Sequence, residues 1–246
     1  MKKTSHLKHI PQRRHVIAYV ALACAVIFAA VLYIYNERAA SRQYNETDQQ
    51  TSLIVRTLTS TDHVIGERSA PVQLVVFSDL ACPYCNNFFV NTLPRLQEKY
   101  GAQIVVAYRH LPLEDIHPRA FRAAQASECA AQLGGEPAFW KFERGVYATP
   151  EYETGLSDAE LGRIATAAGI NHVQFSQCME SGEAGVRVRA DMMEARVAGL
   201  NYTPSTVLKS KHRAIIVKGS YYPRFVGAID YLLSVEQNIR EEQYLR

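Results

Sequence analysis

This chain has few cysteines, five in 246 residues, too few to frame a small disulfide-built domain. Only one C-x-x-C stands out, and no second C-x-x-C, C-x-x-H or H-x-x-x-H follows it at the spacing that closes a structural zinc site. Net charge is also scarce, at +3, and much of the excess lies in the first fifteen residues. No basic helix face interleaved with aromatics appears after them, so no nucleic-acid partner is expected. The cluster Lys209, Lys211, His212 and Arg213 reads as a solvated turn. Residues 1–15 carry Lys2, Lys3, Lys8, Arg13 and Arg14 without any acid, and residues 16–35 lack charge altogether. An uncharged run of that length matches the ~20 residues that cross a bilayer core and exceeds the apolar part of a typical cleaved leader. Only Arg38 and Arg42 follow closely. The positive-inside bias therefore makes 1–15 a cytoplasmic tail and 16–35 a transmembrane anchor, with the rest across the membrane in an oxidising space. The competing reading is a leader cut near Ala39-Ala40-Ser41. Residues 36–61 have little to bury, are rich in Gln, Thr, Ser and charge, and read as a polar stalk.

What is present is a strand followed by a helix. Leu74–Phe77 is an apolar run of the kind buried on both faces of a sheet, and Phe89, Leu93, Leu96 and Tyr100 fall on one helical stripe. Cys82-Pro83-Tyr84-Cys85 lies between them. There Cys82 is expected in the first helical turn, where unpaired backbone N–H groups and the positive end of the helix dipole favour a thiolate. Pro83 suits the same turn, because its missing N–H would have no intrahelical partner. Cys85, one turn on, is within disulfide reach and faces the packed side. As a structural staple so short a loop would stabilise little. The context favours a redox-active pair.

The remaining pattern extends this start. Asp62–Gly66 reads as a short edge strand, Pro94 should kink the helix after the cysteines, and Ile104–Tyr108 is a second apolar strand. About 113–199 is almost wholly helical: an Ala-rich segment 120–133, an aromatic one around Phe139, Trp140, Phe142 and Val146, a third from a cap at Asp158, and a last one whose core face carries Val186, Ala190, Met193 and Val197. Two short strands, 205–208 and 214–217, and a final helix bearing Tyr222, Val226, Ile229 and Leu233 complete the chain. The fold class is α/β: a thioredoxin fold over 62–240 with a helical insertion between its βαβ and ββα halves, preceded by one transmembrane helix.

Several stretches together resemble the DsbA-like thioredoxin-fold proteins, in particular their membrane-anchored bacterial branch. They are Asp62–Gly66, Ala70-Pro71-Val72, Phe77-Ser78-Asp79, Cys82-Pro83-Tyr84-Cys85, Tyr108–Leu113, Ile116-His117-Pro118 and Tyr202-Thr203-Pro204-Ser205. The resemblance implies a thiol:disulfide oxidoreductase with Cys82 attacking and Cys85 resolving. It makes Pro204 a cis-proline facing the pair, with Thr203 offering backbone hydrogen bonds to an extended substrate. Pro83 and Tyr84 flank the site. Tyr84 stands where the best-known members have a histidine, and it has no positive charge to hold a thiolate. His110 and His117 match family positions but are assigned no chemistry.

The expected activity is introduction of disulfides into exported proteins, with the Cys82–Cys85 disulfide itself as the redox group, no separate cofactor and no metal. Expected partners are exported proteins with thiols and, by the resemblance, a membrane quinone-linked reoxidase. The chain is expected to be a monomer in the cell membrane, its catalytic domain periplasmic or extracellular. The alternatives are a disulfide reductase or isomerase, or a membrane-tethered module binding metal through the two thiolates. With Cys24 in the membrane and Cys82 paired to Cys85, Cys129 and Cys178 remain on the oxidising side as a possible structural disulfide or as two buried thiols.

Overall fold

A computed structural model describes residue 17 and residues 19–33 and 54–244. These fall into two compact units, an N-terminal one and the domain that follows. In the first, residues 19–33 form helix α1 with every side chain exposed. Among the described residues no helix is long and apolar enough to cross a membrane. The expected anchor 16–35 and stalk 36–61 lie partly outside them. Residues 54–61, expected as the end of the stalk, instead join the domain: Val55 is buried, and the Arg56 guanidinium pairs with Glu194 and Asp191.

The domain is built on a five-stranded sheet of order β1-β3-β2-β4-β5. Its strands are β1 (His63–Ile65), β2 (Val72–Ser78), β3 (Ile104–His110), β4 (Ser205–Lys209) and β5 (Ala214–Lys218). Central β2 runs parallel to β3 and antiparallel to β4. A strand in that position has neighbours on both edges and cover on both faces, which is why 74–77 shows no polar alternation. Leu74 and Val76 point into a cluster with Phe88, Leu96 and Tyr108, whereas Val75 and Phe77 point the other way, toward Ala195, Leu200 and Val207.

After the cysteines the chain forms α2 (Pro83–Asn87), a π-helical segment (Phe88–Thr92) and α3 (Leu93–Tyr100). Pro94 lies in the first turn of α3. It cannot donate to the Val90 carbonyl, and the interruption is taken up by the wide π turn, where Leu93 N–H reaches the Phe88 carbonyl. The insert comprises α4 (Ala120–Tyr147), α5 (Asp158–Ala167), α6 (His172–Ser181) and α7 (Ala184–Val197), and α8 (Tyr222–Tyr244) ends the domain. α4 joins the Ala-rich and aromatic segments across Gly135, whose φ of 69° breaks the helix just before Pro137.

Two expectations are corrected here. The cap of α5 is Ser157, one residue before Asp158, in a reciprocal capping box with Glu160. On α7 the stripe Val186, Met193 and Val197 is exposed, at 62%, 56% and 61%, while Val188, Asp191 and Ala195 are buried. The helix is oriented by Asp191 and Glu194, which pair with Arg56 and Arg109, so ion pairing overrides the apolar stripe.

Candidate functional site: a cysteine pair at the end of the central strand

β2 ends at Ser78, and Asp79 fastens the turn that follows. Its carboxylate accepts from the amides of Ala81 (2.8 Å) and Leu113 (2.9 Å) and pairs with His117 Nδ1 (2.8 Å). Cys82 is the N-cap of α2, with extended φ −88° and ψ 123°, and Pro83 follows inside the first turn. The cysteine expected in that turn thus sits one step before it, because a cap residue must leave the helical backbone while its carbonyl begins the hydrogen-bond ladder. That carbonyl accepts from Cys85 N (3.0 Å) and Asn86 N (3.1 Å).

The two thiols are free and have different surroundings. Cys82 is 4% exposed, beside Tyr84 at 57%, whereas Cys85 is 0% exposed. The Cys85 thiol, hydrogen-bonding toward Cys82, is the largest influence pushing Cys82 down to about 6, with help from Thr203 and the amides of Cys85 and Tyr84 against the opposing effect of burial. Burial, reinforced by the neighbouring Cys82, drives Cys85 far up. Cys85 Sγ accepts a long contact from Asp79 N (3.4 Å). The outer sulfur is therefore a thiolate near neutral pH and the inner one a thiol.

Thr203 and Pro204 close the site from the other side. In its thiol form Cys82 Sγ points its hydrogen at the Thr203 carbonyl, 3.5 Å away, and the Thr203–Pro204 bond is cis. Pro204 leads into β4, antiparallel to β2, so sheet pairing brings 203 beside 82. A cleft of about 550 Å³ opens alongside, between α2 and the turn before α8, lined by Tyr84, Asn87, Arg95, Tyr202, Ser220 and Tyr221. Asn87 Nδ2 donates to Ser220 Oγ (2.8 Å) and Thr92 Oγ1 to the Ser220 carbonyl (2.7 Å), holding its two walls together. Exposed aromatic faces beside amides suit an extended peptide.

Away from the pair, Cys129 and Cys178 form a disulfide between α4 and α6, Cα to Cα 5.8 Å. Among the described residues no group of three or more His, Cys, Asp or Glu could hold a metal ion. Sequence reading missed Asp79 and the partners of the histidines. His110 Nε2 is 2.8 Å from Glu128, and His63 lies between Glu128 (3.2 Å) and Glu136 (2.8 Å). Asp79 was within sight, as an acid just after the buried strand. Glu128 carried no local signal, sitting in an Ala-rich helix.

The fold and the cysteine pair together define a thioredoxin-fold dithiol protein. Residues 58–220 match the thioredoxin family, and this chain belongs to it. Among solved structures it has the fold of DsbA-type proteins. DsbA2 of Pseudomonas aeruginosa is 23% identical, with a TM-score of 0.59 over 71% of this chain and 96% of that one. BdbD from Bacillus subtilis, in its oxidised form, is 21% identical, with a TM-score of 0.62 over 70% and 93%. Among curated proteins, one of Mycolicibacterium gilvum named Na(+)/H(+) antiporter NhaA 1 is 35% identical over 155 residues, 62% of this chain and 24% of the relative. The chain thus spans about a quarter of the length of such relatives.

Proposed function

We propose that this protein is a membrane-anchored thiol:disulfide oxidoreductase that introduces disulfides into exported proteins. The observation that carries the reading is the asymmetry of the pair, an outer Cys82 held at about 6 and an inner Cys85 raised far above its ordinary value. A substrate thiolate attacks Cys82 Sγ of the oxidised pair, the bond to Cys85 breaks, and a mixed disulfide forms. A second substrate thiolate then attacks the substrate sulfur, Cys82 leaves as a thiolate, and the substrate carries the disulfide. A Cys82 held at about 6 is a good leaving group, which favours the oxidising direction. With Tyr84 contributing no positive charge, the pair is an oxidant of middling strength rather than an extreme one.

The basic tail of 1–15 and the uncharged run of 16–35 support the anchor. The catalytic domain then faces the oxidising side, where exported proteins supply thiols and a quinone-linked membrane partner restores the disulfide. The test is the reduction potential of the Cys82–Cys85 pair in a glutathione buffer. A value between about −120 and −200 mV supports the oxidase, and one near −270 mV replaces it with a reductase. Metal bound stoichiometrically to the reduced full-length protein would instead favour a thiolate metal module.

A further inference from the structure

The cations on the turn between β4 and β5 take no part in the exchange reaction. Lys209 ends β4, and Ser210 closes the turn: its amide donates to the Arg213 carbonyl (2.8 Å), and its hydroxyl oxygen accepts from the amides of His212 (3.4 Å) and Arg213 (3.3 Å). So tight a turn holds Lys211, His212 and Arg213 together, all three exposed. With Lys209 they line a cleft of about 660 Å³ in which Glu236 is the single acid. Among the described residues no carboxylate lies within ion-pairing distance of these four, and the buried Oε1 of Glu236 has no hydrogen-bond partner. Burial, then the charge of Arg109, pushes the half-buried Lys209 down from its ordinary value against the pull of Glu194. Its ammonium donates to the Val55 carbonyl, and Thr57 lines the same cleft, so this is the end at which the chain enters the domain. The cysteine pair lies at the other end. β2 begins beside the cleft, with Gln73 opposite Lys209, and ends at Ser78 before the redox turn, roughly 20 Å away for a strand of this length.

We propose that this cleft and turn bind the phosphodiester headgroups of anionic lipids, docking the domain on the membrane surface with the cysteine pair turned away from the bilayer. The proposal rests on the anchor reading above. Only residues 36–53 separate the uncharged run from Ile54, and a chain of that length reaches at most roughly 60 Å. The domain therefore stays close to the surface, and such a tether raises the effective concentration of headgroups at the cleft. Lys209, Lys211 and Arg213 outnumber Glu236, so the cleft favours an anion. A lysine meets a phosphodiester as a point charge and an arginine as a two-pronged donor. A free phosphate would satisfy the same charges, and the tether is what favours the bilayer. A contact of this kind is screened by salt and reversible. Docked, the domain presents its pair to exported chains, and release lets the pair turn to a reoxidase in the membrane.

The test is amide hydrogen–deuterium exchange of the full-length protein in nanodiscs of phosphatidylcholine alone or with about one quarter phosphatidylglycerol, an anionic lipid. The amides of 209–213 should exchange severalfold more slowly in the anionic discs at low salt. That difference should vanish in about 0.5 M sodium chloride, where screening is short-ranged. Lys211→Gln combined with Arg213→Gln should abolish it as well, while leaving disulfide exchange with a dithiol peptide unchanged. Should that variant not fold, the salt dependence of the wild type decides the matter. Equal amide exchange in the two kinds of disc, or a difference that survives the two substitutions, overturns the docking. Slowing in the phosphatidylcholine discs on addition of inorganic phosphate assigns the cleft to a free anion and overturns the docking too. A chain that does not stay with the discs overturns the anchor, and the docking with it.

Discussion

Two buried polar regions of this domain were built to opposite rules. Around Arg109 every guanidinium nitrogen has a partner: Nε donates to Asp62 (3.0 Å), one terminal nitrogen to Glu194 (2.9 Å) and the Arg56 carbonyl (3.2 Å), the other to the carbonyls of Arg56 and Thr57 and to Asp62. Burial alone would raise Asp62, but its bonds to Arg109 and the Thr59 amide hold it below the usual carboxylate range. Behind Cys85, by contrast, Ser78 Oγ, Tyr108 OH and Glu143 Oε1 are left without partners. The Arg109 network clamps residues 56–62 and α7 to β3, with Arg187 at its edge reaching Asp62 and Asp191 only at 3.6 Å. Both regions are buried, so the pairing of their polar atoms, and not depth, distinguishes them.

The largest effect should come from the reactive region. Cys82→Ser should abolish disulfide exchange with a model dithiol peptide, while Cys85→Ser should accumulate a mixed disulfide visible by mass on a non-reducing gel, both without loss of fold. Faster alkylation of Cys85 than of Cys82 in the reduced protein would reverse the assignment. Breaking the Arg109 network should do the converse: Arg109→Met takes one cation from Asp62 and Glu194, leaving them Arg56, and should cost up to about 3–5 kcal/mol in urea unfolding, yet leave exchange per folded molecule intact. A loss of activity beyond the loss of folded protein would erase the distinction between the two regions.

Two smaller perturbations probe the scaffold further. The Cys129–Cys178 bridge closes a separation of 49 residues, so replacing both by Ala should lower stability by at most about 4 kcal/mol in the chain-entropy account. Mass spectrometry of the non-reduced protein should show the linked peptide. For His63, burial opposes the charge, but the hydrogen bonds it donates to Glu128 and Glu136 raise it from 6.5 to about 9. Since the folded value lies above the unfolded one, this stabilisation is fully present below about 6.5 and is lost as pH rises through about 9. It should amount to something on the order of 3 kcal/mol, and Glu128 is held low against burial by His110 first and His63 second. His63→Gln should flatten the urea-midpoint profile between pH 6 and 9, and an undiminished slope would assign the effect to another group.

Much of the fold was legible in residues that speak for themselves locally. The unbroken apolar run 74–77 marks a central strand because both its faces are covered, and Pro83 marks a helix start because its missing N–H costs nothing there. The elements fall in the order that their periodicities imply. Two misreadings came from the same source. Val186, Met193 and Val197 form an apolar stripe by spacing, yet the opposite face of α7 is the buried one, because Asp191 and Glu194 find their partners on 56 and 109. Residues 54–61 look too polar to pack, yet Arg56 is drawn in by those same acids.

The sequence alone determined what depends on neighbours along the chain: the strand-to-helix junction, the cysteine spacing that permits a disulfide, the proline that starts the helix and the one that disturbs it. Tertiary structure alone decided which buried groups find partners. It placed Thr203 against Cys82 from 121 residues away, satisfied every nitrogen of Arg109, and left one oxygen of the buried Glu143 without a partner. Backbone conformation is governed by contacts within a turn or two. Whether a buried oxygen is paired depends on what other elements bring to it, and one sheet register or one helix rotation is enough to change the answer.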